Sequence, residues 1–358
     1  MSNDRPRLTV DLAALKHNYA TLKSRRPDAD LAAVVKANAY GLGMALVARA
    51  LAEAGCQTFF VAYAFEGMAL RDILGKQPDI CVLNGPGTDN LNEFMAANLT
   101  PVLNTPEQVR LWSQNSDRLA MLHVDTGMNR LGLSIPEALA TAASAADLTV
   151  SHILSHFACS DDPLSEENQS QITKFTDVTN QLGDVFPGAR HSISASGGLF
   201  LPDMIEEDLT RPGLALYGIC PQASLAHNLK TVARLEAPVL QTRKLEAGDA
   251  VGYGSTYRTN NDMQIATIAI GYGDGYPRAL SGKGHVMIGG HACPILGIIS
   301  MDLVSVDIST CTTEVSPGRM AECFGDQLPV QEIAKVAGTI PYELFVTLGE
   351  RVMRCYTD

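Results

Sequence analysis

The sequence predicts an α/β chain: an N-terminal (β/α)8 barrel over residues 1–228 and a C-terminal, mainly-β domain over residues 229–358. Three observations carry that expectation. In the first part, short runs that are apolar at successive positions alternate with amphipathic stretches, the pattern of a parallel sheet covered on both faces. Eight such runs suit a closed barrel better than an open doubly wound sheet, and polar residues recur where the runs end. From Lys230 onward the periodicity changes to short β-rich segments cut by Gly, Pro and Asp turns.

The first barrel strand is the clearest, Leu31-Ala32-Ala33-Val34-Val35-Lys36. Further strands are expected at 58–62, 80–83, 100–103, 119–124, 149–155, 192–194 and 208–211, with helices at 12–25, 43–54, 65–74, 88–97, 106–114, 136–146, 165–183 and 198–202. The strand ends offer Lys36, Asn84, Asn104, Asp125, His156, Ser194 and Arg211, at the rim where this architecture carries its chemistry. In the second domain the expected strands are 231–245, 264–270, 285–288, 295–299, 303–308 and 319–323, with one helix at 330–337.

Composition excludes several classes. Hydrophobic residues make up 46% and charged residues 18% of 358, enough apolar material for a sizeable core. A net charge of −12 disfavours binding to nucleic acid or an anionic membrane, both of which need a basic face. No apolar run approaches the roughly 18–20 residues needed to span a bilayer. Met1-Ser2-Asn3-Asp4-Arg5-Pro6-Arg7 has no apolar core behind its charges, so no secretory signal is read and a cytoplasmic location is expected. Eight scattered cysteines form no C-x-x-C pair and no zinc-spaced cluster with histidine; free thiols and no metal are expected.

Lys36 is the residue that asks for a chemical reason. Lysine seldom closes a buried run unless it is paired or functional. Desolvation lowers the pKa of such an amine and frees it to attack a carbonyl. The surrounding Val34-Val35-Lys36-Ala37-Asn38-Ala39-Tyr40-Gly41-Leu42-Gly43 resembles the cofactor-lysine segment of the alanine racemases, fold type III pyridoxal-phosphate enzymes. Six further segments resemble that family in the same order: Val124-Asp125-Thr126-Gly127-Met128-Asn129-Arg130-Leu131-Gly132, Ser155-His156-Phe157-Ala158, Arg211-Pro212-Gly213-Leu214-Ala215-Leu216-Tyr217-Gly218, Val251-Gly252-Tyr253-Gly254, Ile270-Gly271-Tyr272-Gly273-Asp274-Gly275-Tyr276 and Ser300-Met301-Asp302. Together they span both presumed domains.

The resemblance implies interconversion of L- and D-alanine. Lys36 would hold pyridoxal 5'-phosphate as an imine, and Tyr253 would be the second base, reaching the site of the partner subunit in a homodimer with shared active sites. Racemisation removes a proton from one face of a flat carbon and returns it to the other, so two opposed bases are the minimum equipment. Arg211 would face the pyridine nitrogen, and a group that offers only donors leaves that nitrogen unprotonated. The resemblance gives the phosphate to Ser196, with Ser194 a one-residue alternative, and to Gly213, the Leu214 amide, and the hydroxyls of Tyr40 and Tyr342. The run Ser194-Ala195-Ser196-Gly197-Gly198 also suits an oxyanion on its own chemistry, because glycines allow close backbone approach. Arg130 would meet the cofactor's phenolic oxygen and the substrate carboxylate, and His156 would bond Arg211. Tyr272 and Met301 would line the substrate pocket.

One position departs from the family. Seven residues before Arg130, where many alanine racemases carry a carbamylated lysine, stands His123. A neutral imidazole can bond the arginine but supplies no negative charge, so an inorganic anion such as chloride is an alternative source. A broad-specificity racemase for serine, lysine or arginine, and a pyridoxal-phosphate homeostasis protein without clear turnover, are the rival readings. The second resembles the barrel alone, so the domain bearing Tyr253 disfavours it. Supply of D-alanine for peptidoglycan precursors and its catabolism are equally open.

Overall fold

The computed structural model describes residues 4–115, 117–144, 148–202, 205–220, 222 and 228–358. The chain forms two compact units: Ala14–Ala39 with Gly43–Lys230, and Met1–Ala13 with Tyr40–Leu42 and Thr231–Asp358.

The first unit is the (β/α)8 barrel. A seven-stranded parallel sheet runs in chain order through Ala33–Val34, Thr58–Val61, Asp79–Val82, Thr100–Leu103, Ala120–His123, Val150–Leu154 and Arg190–Ser192. The eighth strand, Leu209–Thr210, pairs in parallel with Asp30–Leu31, which leads directly into Ala33–Val34. Four backbone bonds complete the circle: Asp208 N–H to His191 O (2.9 Å), Arg211 N–H to Ser194 O (2.9 Å), Ala32 N–H to Thr210 O (2.9 Å) and Val34 N–H to Pro212 O (3.0 Å). These bonds tie both edge strands of the seven-stranded sheet to the short pair formed by Leu209–Thr210 and Asp30–Leu31. Phe59, Phe60 and Val61 are wholly buried in succession, as a strand with packed neighbours on both faces requires. Trp112 is also fully buried; its Nε1–H donates to Arg118 O (3.0 Å), and its ring meets Phe94 edge-on at 6.1 Å. Side chains of this size each contribute about 1.5–3 kcal/mol on burial.

Several helix limits differ from the sequence reading. The helix expected at 88–97 begins at Leu91, because Asn90 Oδ1 first accepts the Gly87 N–H (2.8 Å) and closes a turn. The helix expected at 136–146 spans Ile135–Ser144, and residues 145 and 146 lie outside the described ones. The helix expected at 198–202 is only a 3₁₀ turn, Gly198–Phe200.

The second unit is an eight-stranded sheet. Six of its strands, Met263–Ile268, Val304–Asp307, His291–Leu296, His285–Ile288, Met320–Phe324 and Ala233–Leu245, close a ring, because the long last strand pairs with both Met320–Phe324 and Met263–Ile268. Its pairing register shifts between Val239 and Gln241, which lets one strand serve both neighbours. Arg7–Asp11 and Met353–Thr357 extend the sheet beyond Ala233–Leu245. Neither was read as a strand from sequence, although Arg7–Asp11 alternates half-buried and buried residues throughout. The strand expected at 295–299 starts earlier, at His291, since Gly289 (φ 58°) and Gly290 (φ 86°) form a tight two-residue hairpin turn that sets Ile288 opposite His291. A second helix, Pro341–Val346, carries proline in its first turn. Among the described residues no helix is long and apolar enough to cross a membrane.

Candidate active site

Lys36 leaves the barrel where its strand ends: the Val35 N–H still donates to Phe60 O (2.9 Å), and the chain then turns. Ala37, Asn38, Ala39 and Tyr40 take φ values of 52°, 55°, 52° and 55°, a left-handed turn made without a single glycine. Such geometry costs roughly 1–2 kcal/mol per residue for L-amino acids, so it persists only where its surroundings enforce it. Three groups do so. Ala39 N–H donates back to Val35 O (2.9 Å), Met44 N–H donates to Asn38 Oδ1 (2.8 Å), and Ala37 N–H donates to Glu66 Oε1 (2.6 Å). The Lys36 amine is held below the usual lysine range, chiefly by burial and then by the Arg130 charge, with Glu66 acting in the opposite sense. Lowering its pKa raises the share of the free, nucleophilic amine.

Arg211 is buried at the end of the eighth strand. Its guanidinium donates to Ser155 O (2.6 Å) and to the Ser192 hydroxyl, which itself donates to Leu209 O. Burial pulls its pKa down to about 10, so the group stays charged at neutral pH. His156 lies within its field. Burial, then Arg211, Arg130, His123 and Lys36, push the imidazole down to about 3. It is a neutral ring among cations. Gln171 steadies its backbone, donating Nε2–H to His156 O (2.9 Å) and accepting from Ala158 N–H (2.8 Å).

The tautomer of His123 follows from its neighbour. Asn104 Nδ2 donates to Leu83 O (2.9 Å) and Val102 O (2.8 Å), so Asn104 Oδ1 faces His123 Nδ1 at 2.8 Å and the ring nitrogen must carry the proton. Nε2 keeps its lone pair. Burial and the nearby arginines push this ring down to about 4, so His123 offers Arg130 a neutral dipole rather than a charge.

The loops after strands seven and eight meet at Ser196. Its hydroxyl accepts the N–H groups of Gly213 (3.0 Å) and Ala215 (3.1 Å), which leaves its own proton free to be donated to an anion. Among the described residues the buried Ser194 Oγ has no hydrogen-bond partner. A Cβ on Gly197 would stand 2.3 Å from Ser160 Oγ, and one on Gly198 would stand 2.6 Å from Ser194 Oγ, so the cradle tolerates only glycine. A buried hydroxyl with a spare proton, an orphaned second hydroxyl and close-packed glycine backbone suit a phosphate. The cofactor implied by the sequence fits these residues.

The remaining expected residues lie in the β unit. Tyr253 opens a one-turn 3₁₀ segment between Gly252 (φ 73°) and Gly254 (φ 67°), and it is 72% exposed. Both flanking positions take positive φ, which glycine adopts without steric cost. Tyr272 and Met301 are also exposed, and their loops are tied by Tyr272 N–H to Ser300 O (3.1 Å) and Gly273 N–H to Met301 O (2.8 Å). Tyr40 belongs to this unit too. Its ring stands 5.9 Å from that of Tyr342, and the following Gly41 O accepts Arg354 Nε–H (3.2 Å).

Three histidines make the acid side of the stability curve predictable. His123, His152 and His156 are held near 4, 4 and 3 in the folded chain, against about 6.5 when unfolded. Between those values the unfolded chain binds more protons, so stability is full above the unfolded pKa and is lost as pH falls from about 6.5 toward 4. Urea midpoints should therefore fall between pH 7.5 and pH 5, and the triple change to glutamine should flatten that fall. An equal pH slope in the two proteins would count against neutral burial of these rings.

Sequence reading missed Glu66, Asn104 as a partner of His123, and the Ser155 and Ser192 supports of Arg211. Asn104 and Ser155 stood at strand ends, but nothing local says which arginine or imidazole a serine or asparagine will meet. Glu66 is the second residue of the helix expected at 65–74, where an acid is the ordinary first-turn residue.

Residues 10–221 match the family described as "Alanine racemase, N-terminal domain", and residues 232–356 match "Alanine racemase, C-terminal domain". A curated relative from Agrobacterium fabrum, named "Alanine racemase, catabolic", is 41% identical over 98% of this chain and 91% of its own length. An alanine racemase of Brucella canis is 39% identical over 98% of this chain and 93% of its own. Among solved structures, alanine racemase from Bartonella henselae with covalently bound pyridoxal phosphate superposes with a TM-score of 0.93 at 37% identity, covering 99% of both chains. The biosynthetic alanine racemase from Pseudomonas aeruginosa gives 0.91 at 32% identity, over 99% of this chain and 100% of its own. Matches of this strength, running through the barrel and the β unit alike, make the chain a member of the alanine racemase family.

Proposed function

We propose that this chain interconverts L- and D-alanine, with pyridoxal 5'-phosphate held on Lys36 and Tyr253 contributed by a second copy of the chain. The observation that carries the reading is the Lys36 amine, depressed by burial, in a left-handed turn on the same barrel as the buried Arg211. When bound, the cofactor supplies an electron sink that stabilises negative charge at the substrate's α-carbon.

The chain's own residues do the rest. Lys36 Nζ takes or returns the α-proton on one face, and Tyr253 Oη does so on the other. Arg211 offers donors and no acceptor, so it keeps the pyridine nitrogen from holding a proton. A donor-only partner of this kind would make the bound cofactor a weaker electron sink, which would favour return of a proton over transamination. Ser196 and the Leu214 amide would receive the phosphate, with Gly213 holding the Ser196 hydroxyl in place and Tyr40 and Tyr342 as further donors. Arg130 meets the substrate carboxylate, backed by the neutral His123, while Tyr272 and Met301 border the pocket. The exposure of Tyr253, Tyr272 and Met301 supports a homodimer in which a second copy covers them. Eight free cysteines accord with a reducing, cytoplasmic setting. The names of the relatives include both a catabolic and a biosynthetic alanine racemase.

A panel assay tests the substrate. Purified protein supplied with pyridoxal phosphate should racemise L- and D-alanine with kcat/KM at least about tenfold above serine, lysine and arginine, the preference that some 1.4 kcal/mol of pocket discrimination produces. Equal rates across the panel would replace alanine with a broad-specificity reading, and binding without turnover would remove the enzyme.

A further inference from the structure

Glu66 serves no step of the proposed mechanism, yet it is a buried carboxylate beside the reacting amine. Both of its oxygens are engaged on backbone N–H groups. Oε1 accepts from Ala37 (2.6 Å), the residue after Lys36, while Oε2 accepts from Ala62 (2.8 Å) and Tyr63 (3.1 Å) at the end of the second barrel strand. The Val35 N–H is bonded to Phe60 in that same strand. Lys36 is thus bracketed: the peptide before it is held by the strand ladder, and the peptide after it by the carboxylate. The turn that begins at Ala37 is left-handed and would relax toward ordinary backbone if unrestrained.

We propose that Glu66 is a positioning residue for the Lys36 amine, clamping the left-handed turn to the second strand and thereby fixing the direction in which the lysine side chain leaves the barrel. This deepens the proposed function, since it rests on Lys36 as the cofactor lysine. A carboxylate, with an acceptor oxygen on each side, satisfies all three N–H groups. Glutamine has one acceptor oxygen, so its amide N–H₂ would confront either Ala37 N–H or the pair at Ala62 and Tyr63, donor against donor. The clamp also places a negative charge near an amine that otherwise faces Arg130 and the neutral His156, and Glu66 acts to raise the Lys36 pKa.

The test compares the full chain, stripped of cofactor, with Glu66→Gln and Glu66→Asp. Two reactions of Lys36 are followed by peptide mass spectrometry: acetylation by trace acetic anhydride across pH, which reports the amine's pKa, and borohydride-trapped coupling to pyridoxal phosphate, which also needs orientation. In E66Q, loss of the negative charge should lower the lysine pKa further and speed its acetylation at neutral pH by up to about tenfold, while coupling to pyridoxal phosphate slows by tenfold or more. In E66D the charge remains but the reach shortens, so the pKa should hold and coupling alone should slow. Unchanged pKa and coupling in a folded E66Q would overturn the proposal. Amide exchange in the unaltered chain is a second measure that needs no variant: the Ala37 N–H should be protected despite its exposed residue, and free exchange there would also overturn the clamp. Both readouts concern Lys36 and not turnover, so a chain that showed them but did not racemise alanine would lose the proposed activity and keep the clamp.

Discussion

Lys36→Ala is expected to lower alanine racemisation by at least roughly 10⁴-fold, because it removes a cofactor attachment and one of two proton-transfer bases in a single change. In the unaltered chain, borohydride treatment after addition of pyridoxal phosphate should leave the label on the peptide containing Lys36. The variant should carry none there. The amine is suited to this role by burial and by the Arg130 charge, which together hold it below the ordinary lysine range. A label found on another lysine, or a variant that racemises within tenfold of the unaltered rate, would overturn the assignment.

Tyr253→Phe is expected to have the second largest effect, and an asymmetric one. Each enantiomer presents its α-proton to one base, so deleting the phenol should cut deuterium exchange from one of L- or D-alanine by roughly 10²–10⁴-fold, the usual worth of a positioned general base. Exchange from the other enantiomer, served by Lys36, should change far less. Deuterium incorporation measured separately for the two isomers reads this directly. Equal losses would argue for one base or for another pair. Folding is not at stake, because the side chain is 72% exposed and packs into no core.

The legibility of the sequence varied with the kind of information each residue carries. Continuous apolar runs such as Ala32 to Val35 and Phe59 to Val61 marked buried parallel strands because nothing but two-sided packing asks for that pattern. The short edge strand Met353–Thr357 escaped notice because its residues are only partly buried, and partly buried residues need not be apolar. The helix expected after Gly197-Gly198 became a single turn: capping chemistry at its start says little about whether the following residues will find a packed face. Lys36, Arg211 and Tyr253 stood out through the motifs around them, whereas Glu66 looked like any first-turn acid.

Sequence alone established the alternation that makes a barrel, the switch to β structure near Lys230 and the lysine, arginine and glycine motifs, since these depend on residue type and local period. Tertiary structure decided which polar groups face one another. It set Asn104 against His123 to place a proton on Nδ1, it gave Arg211 the Ser155 carbonyl and Ser192 hydroxyl, and it bound Glu66 to the peptide after Lys36. Those contacts join residues 19, 56, 19 and 29 positions apart. The physical reason is that a hydrogen bond depends on ångström-scale distance and direction, and at such separations these are set only when the barrel closes.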